Sequence, residues 1–169
     1  KKKAVANVQL MGSGTILQKV RQAAQILAND FNISSDVYSV TSFNELARDG
    51  QDVTRWNMLH PESKQRVPYI SSVIKKEAGP AIAATDYIKN YSDQVRAYID
   101  TEYRCLGTDG FGRSDSRDNL RQHFEVDQNY IVVAALFELS NRGEIERSVV
   151  SEAIKRFNID SDKLNPLYA

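Results

Sequence analysis

The amino-acid sequence predicts a single α/β domain with three layers, in which a mostly parallel, mixed sheet is flanked by helices. Short apolar runs typical of buried strands alternate with longer stretches whose apolar residues recur every three or four positions, as in amphipathic helices. The length of 169 residues suits one domain with a substantial core, and no internal repeat divides it. We therefore expect one domain over residues 4–169, with residues 1–3 as the end of a linker.

Four apolar runs predict the strands. The first alternates and then becomes continuously apolar, as a strand does when it enters a core. The other three are shorter and are bounded by polar or turn-forming residues. The predicted strands are residues 4–11, 37–40, 81–85 and 103–106.

The first two helices follow the first two strands. Apolar residues from Ile16 to Phe31 recur at three- and four-residue spacing and form one stripe of an amphipathic helix. Ser42 and Glu45 have the spacing of a capping box, which predicts that a second helix begins there. Pro61 is expected to end it.

The remaining helices are predicted from their boundaries and their length. Pro68 can open a third helix, and Gly79 can end it in a left-handed conformation. Residues 130–139 are apolar nearly all round and fit a strand or a buried helix, but their length favours a helix. Residues 145–157 carry the stripe of a last amphipathic helix.

Composition excludes several classes of protein. The chain has 22 basic and 22 acidic residues, so it has no overall field that would attract nucleic acid or an anionic membrane. Its longest apolar run, residues 131–137, is far shorter than the roughly 20 residues that span a bilayer.

The one cysteine, Cys105, cannot form an internal disulfide and fits a reducing compartment. The chain begins with three lysines and no initiator Met, which favours a piece excised from a longer protein.

The most distinctive stretch is residues 107–127, which we name the glycine–arginine segment. Three of the eight glycines, Gly107, Gly110 and Gly112, fall within six positions and are followed by alternating arginine and aspartate. Closely spaced glycines make the backbone easy to bend and to approach. The segment lacks the Gly-Lys-Ser/Thr of a phosphate-binding P-loop.

A helix is expected to follow this loop, with Ser114 or Asp115 as its N-cap. Arg117 and Arg121 then lie four residues apart on one face of that helix, and Arg113 lies just before it. Three guanidinium groups can clamp a carboxylate or a phosphate, or can pair with a neighbouring subunit.

The aspartates of the segment offer the arginines another partner. Asp109, Asp115 and Asp118 are close to them in sequence and could neutralise them within the chain. We favour pairing within the protein or across an interface over capture of a ligand.

Other candidate residues are isolated. Asp86 and Tyr87 follow the third strand at the sheet edge where ligands bind in open α/β folds, although a helix N-cap is the favoured role of Asp86. His60 and His123 have no second histidine or cysteine at metal-ligand spacing. Cys105 lies in a predicted buried strand without a sign of activation.

Gly12, Ser13 and Gly14 follow the first strand and resemble the start of a dinucleotide-binding fingerprint. Leu17 occupies the position of the third glycine, and no acidic residue ends the second strand to hold a ribose. The motif therefore favours a structural turn over a nucleotide site.

Three stretches carry a resemblance to a known family: residues 79–87 (GPAIAATDY), residues 106–127 with the run LGTDGFGRSDSR, and residues 142–145 with 157–159. Together they closely resemble the C-terminal domain of the homodimeric, thiamin-diphosphate-dependent first components of bacterial pyruvate dehydrogenase complexes, in the transketolase superfamily. The resemblance covers nearly the whole chain. It implies a transketolase-type C-terminal domain, with a mixed sheet and helices on both faces.

The resemblance also implies a chemistry for the parent enzyme. That enzyme would decarboxylate pyruvate on thiamin diphosphate with magnesium and then reductively acetylate the lipoyl group of the next component. In the family, the diphosphate and metal motif lies in the N-terminal domain, and the acid that activates the cofactor lies in the middle domain. This chain has no Gly-Asp-Gly…Asn-Asn motif. We therefore expect no cofactor, metal or complete active site in this domain, and no turnover by it alone.

The role that the resemblance leaves for this domain is structural: to complete a homodimer and to brace the catalytic domains. The expected partners are the N-terminal and middle domains of the parent chain, the second subunit and the acyltransferase component, in the bacterial cytoplasm, without nucleic acid or membrane. The residues expected at a domain or subunit contact are Asp86, Tyr87, Asp109, Arg113, Asp115, Arg117 and Arg121. Two alternatives stay open: a docking module for the lipoyl domain or the complex core, and, less favoured, an independent nucleotide-binding Rossmann-like domain.

Overall fold

The computed structural model describes residues 4–169. Its strands form one sheet in the order β2-β1-β3-β4, and each neighbouring pair in these residues is parallel. The strands are β1 (Ala6–Gly12), β2 (Ile33–Ser39), β3 (Ala81–Ala84) and β4 (Tyr103–Leu106). The predicted α/β class is confirmed, with a sheet that is parallel throughout the described residues.

The register of the sheet brings the carboxyl ends of the strands into one row. Gly12 pairs with Ser39 of β2 and with Ala84 of β3, and Ala84 pairs with Leu106 of β4. The chain adds β2 on one side of β1 and then β3 on the other, so the strand order reverses between β1 and β3. Open parallel sheets form a crevice at the carboxyl edge of such a reversal, and ligands bind there.

Helices cover both faces of the sheet. They are α1 (Leu17–Phe31), α2 (Phe43–Leu59), α3 (Tyr69–Val73), α4 (Lys89–Asp93), α5 (Arg117–His123), α6 (Gln128–Asn141) and α7 (Arg147–Arg156). Because side chains alternate along a strand, Leu10 and Ile82 join a cluster with α1, α6 and α7, while Met11 and Ala83 join a second cluster with α2 and α3. No helix within residues 4–169 is both long enough and apolar enough to cross a membrane.

The second strand is longer than its apolar residues predict. It begins at Ile33 rather than at residue 37, because α1 ends on Asn32 with a left-handed φ of 54° and the chain turns directly into pairing with Ala6. The first residues after Ile33 are Ser34, Ser35 and Asp36, which carry no apolar signal. Pairing with β1, rather than burial, therefore defines this half of the strand.

The helix predicted over residues 68–79 is broken into two short pieces, α3 and a 3₁₀ turn at Lys76–Ala78. The cause is the buried side chain of Gln9 on β1. Its Nε2 donates to the carbonyl oxygens of Lys75 and Gly79, each at 2.8 Å, and its Oε1 accepts from the N–H of Lys75 at 3.0 Å. These bonds occupy backbone groups that a continuous helix would use itself.

Helix caps also separate the alternatives that the sequence left open. Residues 130–139 are helical, within α6, and the carboxylate of Asp127 caps this helix. The N-cap of α5 is Ser116, whose Oγ accepts from the N–H of Asn119 at 3.3 Å, and not Ser114 or Asp115. The predicted N-cap of α5 lies one or two residues too early in the chain, because the loop continues further before the helix begins.

The predicted capping box of α2 is confirmed on its serine side: Ser42 Oγ accepts from the N–H of Glu45 at 3.1 Å. We expect Ser42→Ala to lower the free energy of unfolding by about 1 kcal/mol, because one N–H at the start of the helix loses its acceptor. Urea unfolding followed by circular dichroism measures the change. Ser63→Ala, at an exposed loop serine, is the control, and an equal effect of both variants would contradict the assignment.

Candidate functional site

A cleft of about 650 Å³ lies at the carboxyl edge of the sheet, where the strand order reverses. Three of its lining residues follow three different strands: Thr15 follows β1, Asp86 follows β3 and Thr108 follows β4. Helix α5 adds Arg117 and Arg121. Residues far apart in sequence therefore meet here because parallel strands end at the same edge.

Hydrogen bonds connect these residues across the cleft. Arg121 Nη2 donates to Thr15 Oγ1 at 3.2 Å, and Thr15 Oγ1 donates to Asp86 Oδ2 at 2.5 Å. Thr108 Oγ1 donates to the backbone oxygen of Asp86 at 2.8 Å. The loops after β1, β3 and β4 and the helix α5 are thus joined through polar side chains.

Asp86 does not have the role that we favoured for it. The N-cap of α4 is Ile88, without a side-chain hydrogen bond, so Asp86 caps no helix. Its carboxylate instead accepts from the hydroxyl of Thr15. The prediction was wrong because the helix begins further along the chain, which leaves Asp86 in the loop that lines the cleft.

The arginines of the glycine–arginine segment do not pair with the aspartates of the segment. Within residues 4–169, no carboxylate lies within 4.0 Å of a guanidinium nitrogen of Arg113, Arg117 or Arg121. Arg113 and Arg117 are exposed, and Arg121 is half-buried. All three line the cleft. The favoured prediction included pairing of these arginines with carboxylates within the protein. For the described residues that part of the prediction is wrong.

Each aspartate of the segment has another partner. Asp109 accepts from the N–H of Lys89 at 2.9 Å, and the ammonium of Lys89 lies 3.5 Å from its other oxygen. Asp118 lies 3.2 Å from the ammonium of Lys19 on α1. The fold brings a lysine nearer to each of these carboxylates than any arginine, which sequence proximity could not indicate.

Asp115 is occupied by its own loop and helix. Its Oδ1 accepts from Asn119 Nδ2 at 2.8 Å and from the N–H of Ser116 at 2.6 Å. These two hydrogen bonds lower the pKa of Asp115 below its ordinary value. Asp115 is therefore a carboxylate at neutral pH that lines the cleft without pairing with an arginine.

At two of the three glycine positions of the segment, backbone from another part of the chain comes so close that only glycine fits. A Cβ on Gly107 would lie 2.6 Å from the carbonyl oxygen of Tyr87, and one on Gly110 would lie 2.1 Å from the carbonyl oxygen of Pro166. Gly110 also has a φ of 105°, which side chains disfavour. A Cβ on Gly112 would meet no atom within 4 Å.

Apolar side chains stand beside the cleft. Tyr87 is 62 % exposed, Ile88 55 % and Phe111 78 %, and each is at most two residues from a residue that lines the cleft. We name these three residues the apolar rim. Exposed aromatic residues next to arginines are typical of the centres of protein interfaces.

The turn at Gly12, Ser13 and Gly14 has a structural explanation. A Cβ on Gly12 would lie 2.9 Å from the Cα of Leu17, so the glycine allows α1 to pack closely on β1. Gly14 has a φ of 59°. The N–H of Ser13 donates to the carbonyl oxygen of Ala84 at 3.3 Å. These contacts account for the glycines without a nucleotide.

The two histidines and the cysteine each have surroundings that explain them without a shared site. The ring of His60 stacks on Trp56 at 4.4 Å. Burial, together with the charges of Arg113 and Lys163, lowers the pKa of His123. Burial raises the pKa of the Cys105 thiol, which opposes its use as a nucleophile. Within residues 4–169 no three His, Cys, Asp or Glu side chains are grouped so that they could hold a metal ion.

Sequence reasoning did not single out Thr15 and Thr108. Thr108 lies in the glycine–arginine segment but was not among its candidate residues, and Thr15 belongs to no motif. Each threonine follows a strand by a few residues, as Asp86 does. That position is a usable signal, since polar residues after parallel strands collect at one edge of the sheet. Applied to every strand, it would have indicated both threonines.

Comparison with known proteins decides the family. A family model described as the transketolase-like TK C-terminal domain matches residues 1–127. The chain belongs to this family. As a transketolase-like C-terminal domain, it has the fold that the resemblance implied, and the glycine–arginine segment lies at the end of the matched residues.

The transketolase-like C-terminal domain has close relatives among curated proteins. It is 64 % identical over 163 residues to the pyruvate dehydrogenase E1 component of Escherichia coli strain K12, which is 96 % of this chain and 18 % of that protein. It is 56 % identical over 169 residues to the protein of the same name from Haemophilus influenzae, covering 99 % of this chain and 19 % of that protein. The chain thus spans about a fifth of the length of these relatives.

A solved structure supports the fold alone. A chain described as a split gene transketolase, inactive beta4 tetramer, superposes on this domain with a TM-score of 0.52 at 12 % identity. The superposition covers 83 % of this chain and 40 % of the other. At this identity the likeness concerns the arrangement of strands and helices.

Proposed function

We propose that this chain is part of a pyruvate dehydrogenase E1 component, the enzyme that decarboxylates pyruvate and acetylates the lipoyl group of the next component of the complex. The observation that carries the proposal is the 64 % identity to the Escherichia coli protein over 96 % of this chain. In this proposal the enzyme works in the bacterial cytoplasm, and its partner is the acyltransferase component.

We propose that thiamin diphosphate with magnesium, the cofactor of this enzyme, is held outside this domain. Residues 4–169 contain no group of three carboxylate, histidine or cysteine side chains at metal-binding distance, and the sequence has no Gly-Asp-Gly…Asn-Asn motif. The cofactor would therefore be held by other parts of the enzyme, and no step of the reaction is assigned to residues of this chain.

The enzymatic part of the proposal is tested on the intact protein that contains this chain. With thiamin diphosphate and magnesium, we expect it to release carbon dioxide from pyruvate and to acetylate a purified lipoyl domain. Mass spectrometry of the lipoyl domain measures the second step. Absence of both products, from a protein that is folded by circular dichroism, would contradict the proposal.

The role of this domain in the proposed enzyme is to brace the catalytic domains and to complete a homodimer. The apolar rim forms the contact surface. All three rim residues are more than half exposed, and each is at most two residues from the lining of the cleft. Grouped exposed apolar side chains are typical of interaction surfaces.

This surface is narrower than the set of residues expected from the sequence. Tyr87 remains in it. Asp86, Asp109 and Asp115 are held by hydrogen bonds inside the domain, and so they are less available to a partner. Arg113, Arg117 and Arg121 line the cleft itself.

A dimer contact through the apolar rim predicts that variants of the rim dimerise more weakly. We expect the double variant Tyr87→Ser, Phe111→Ser of the intact protein to weaken dimerisation at least tenfold, because truncating a buried aromatic anchor costs on the order of 2 kcal/mol. Analytical ultracentrifugation over a range of protein concentrations measures the dissociation constant. Turnover should fall at low concentration, where the variant dissociates, and recover at high concentration.

Met58→Ser is the control for this experiment. Met58 lies on α2 and is 71 % exposed, and so its substitution removes a comparable apolar surface outside the rim. A wild-type dissociation constant for the rim variant would contradict the contact, as would an equal defect in both proteins.

A further inference from the structure

We propose that the cleft at the carboxyl edge of the sheet binds a small organic phosphate: a phosphate group attached to an apolar or ring-containing body. This site is distinct from the contact proposed above. It is built from the residues inside the cleft, chiefly Arg113, Arg117 and Arg121, rather than from the apolar rim.

The position of the cleft is the first observation. It lies between the ends of β1 and β3, where the strand order reverses, and the loops after β1, β3 and β4 all line it. Helices on the two faces leave this edge of a parallel sheet open, which is why ligands bind there in open α/β folds. Its volume of about 650 Å³ is that of a site for a small molecule.

The charges in the cleft are the second observation. Arg113, Arg117 and Arg121 line it, and none has a carboxylate within 4.0 Å among residues 4–169. The two carboxylates that also line it are engaged elsewhere: Asp86 accepts from Thr15, and Asp115 accepts from the start of α5. Three cations facing two occupied carboxylates leave a surplus of positive charge with free guanidinium donors.

The kind of donor favours phosphate over a carboxylate. A guanidinium group donates two parallel hydrogen bonds to an oxyanion, and one arginine suffices for a carboxylate. Three arginines from one loop and one helix match the larger number of oxygens and the double charge of a phosphate monoester.

The apolar part of the lining favours an organic phosphate over inorganic phosphate. Leu120, Phe124 and Val126 line the cleft together with the arginines. Leu120 and Phe124 are half-buried, and Val126 is fully buried. Such a wall contributes nothing to a bare anion but removes the apolar body of a larger ligand from water.

Isothermal titration calorimetry on the intact protein tests the site at constant ionic strength. The probes are phenyl phosphate, inorganic phosphate and benzoate. The protein is first loaded with thiamin diphosphate and magnesium, so that any tight diphosphate site elsewhere in it is filled, and the free cofactor is removed by dialysis so that it does not compete for the cleft. We expect phenyl phosphate to bind at least tenfold more tightly than either of the other two. Equal affinity for benzoate, or no heat with 10 mM phenyl phosphate, would overturn the proposal.

The variant Arg117→Gln, Arg121→Gln should weaken the binding of phenyl phosphate at least tenfold. Arg147→Gln is the matched control, since Arg147 is an exposed arginine on α7 without a carboxylate partner in the described residues. Should the double variant fail to fold, Arg117→Gln alone is the substitute, because the Arg117 side chain is exposed and makes no hydrogen bond within residues 4–169. Unchanged affinity in the folded arginine variant would overturn the proposal.

A failure of the phosphate-site proposal can be distinguished from a failure of the proposed dimer contact. The rim variant Tyr87→Ser, Phe111→Ser should bind phenyl phosphate as the wild type does, since neither residue lines the cleft. The arginine variant should keep the dimer dissociation constant of the wild type. Loss of phosphate binding in the rim variant would overturn the assignment of the site to the cleft.

Discussion

Replacing Gly110 by alanine should lower the free energy of unfolding by about 3 kcal/mol, because the substitution combines backbone strain with a collision. The φ of Gly110 is 105°, which residues with a Cβ rarely adopt. The new Cβ would lie 2.1 Å from the carbonyl oxygen of Pro166, a backbone atom that no side-chain rotation can move away. Chemical unfolding followed by circular dichroism measures the loss.

The other glycines of the segment provide matched comparisons. Gly112→Ala should change the stability by less than about 1 kcal/mol, because its Cβ would meet no atom within 4 Å and its φ is not positive. Gly107→Ala should cost about 2 kcal/mol, since its Cβ would collide with the backbone of Tyr87 but its φ is not positive. Equal stability of the Gly110 and Gly112 variants would show that the loop does not pack on Pro166 as described.

Replacing Gln9 by leucine should lower the free energy of unfolding by about 3 kcal/mol, because three hydrogen bonds of its buried amide are lost. The N–H of Lys75 then has no acceptor, while the carbonyls of Lys75 and Gly79 each keep one other donor, the N–H of Ala78 and the hydroxyl of Thr101. Gln9 is fully buried in β1. Its amide binds both the N–H and the carbonyl of Lys75 and the carbonyl of Gly79. The leucine side chain has a similar volume, so the loss reports hydrogen bonds rather than a cavity.

The control for Gln9 is Gln22→Leu, at an exposed position of α1. It adds the same apolar side chain without removing a buried hydrogen bond, and its stability should stay within about 0.5 kcal/mol of the wild type. If the Gln9 variant were also this close to the wild type, its amide would not be what positions the turn at Lys76–Ala78.

The sequence predicted most elements because their signals are local. Residues 103–106 form β4 as predicted, since a short run with Tyr103, Cys105 and Leu106 between polar and turn-forming residues is enough to indicate a strand. Ser42 caps α2 because a hydroxyl three residues before Glu45 is correctly placed whatever surrounds the helix. The family could likewise be recognised from the glycine–arginine segment as it stands in the sequence, and the match to residues 1–127 confirms it.

The predictions that were wrong depend on partners distant in the chain. The helix over residues 68–79 is interrupted by Gln9, which lies 66 residues before Lys75, and nothing in the sequence of the helix indicates that bond. Asp118 and Asp109 of the glycine–arginine segment pair with Lys19 and Lys89 instead of with the neighbouring arginines. Proximity in sequence is a poor guide to ion pairs, because the fold decides which side chains are nearest.

The candidate site, like the fold, combines features that are local in the sequence with features that arise only from contacts between distant residues. The sequence by itself determined the α/β class, most of the elements, the family and the three arginines as the residues to examine. Only the tertiary structure placed those arginines in a cleft with Thr15, Asp86 and Thr108, and showed that their neighbouring carboxylates are occupied. The physical reason is that secondary structure follows from periodicity and caps within a few residues, whereas a cleft at the edge of a parallel sheet is assembled from loops that meet only when the strands align.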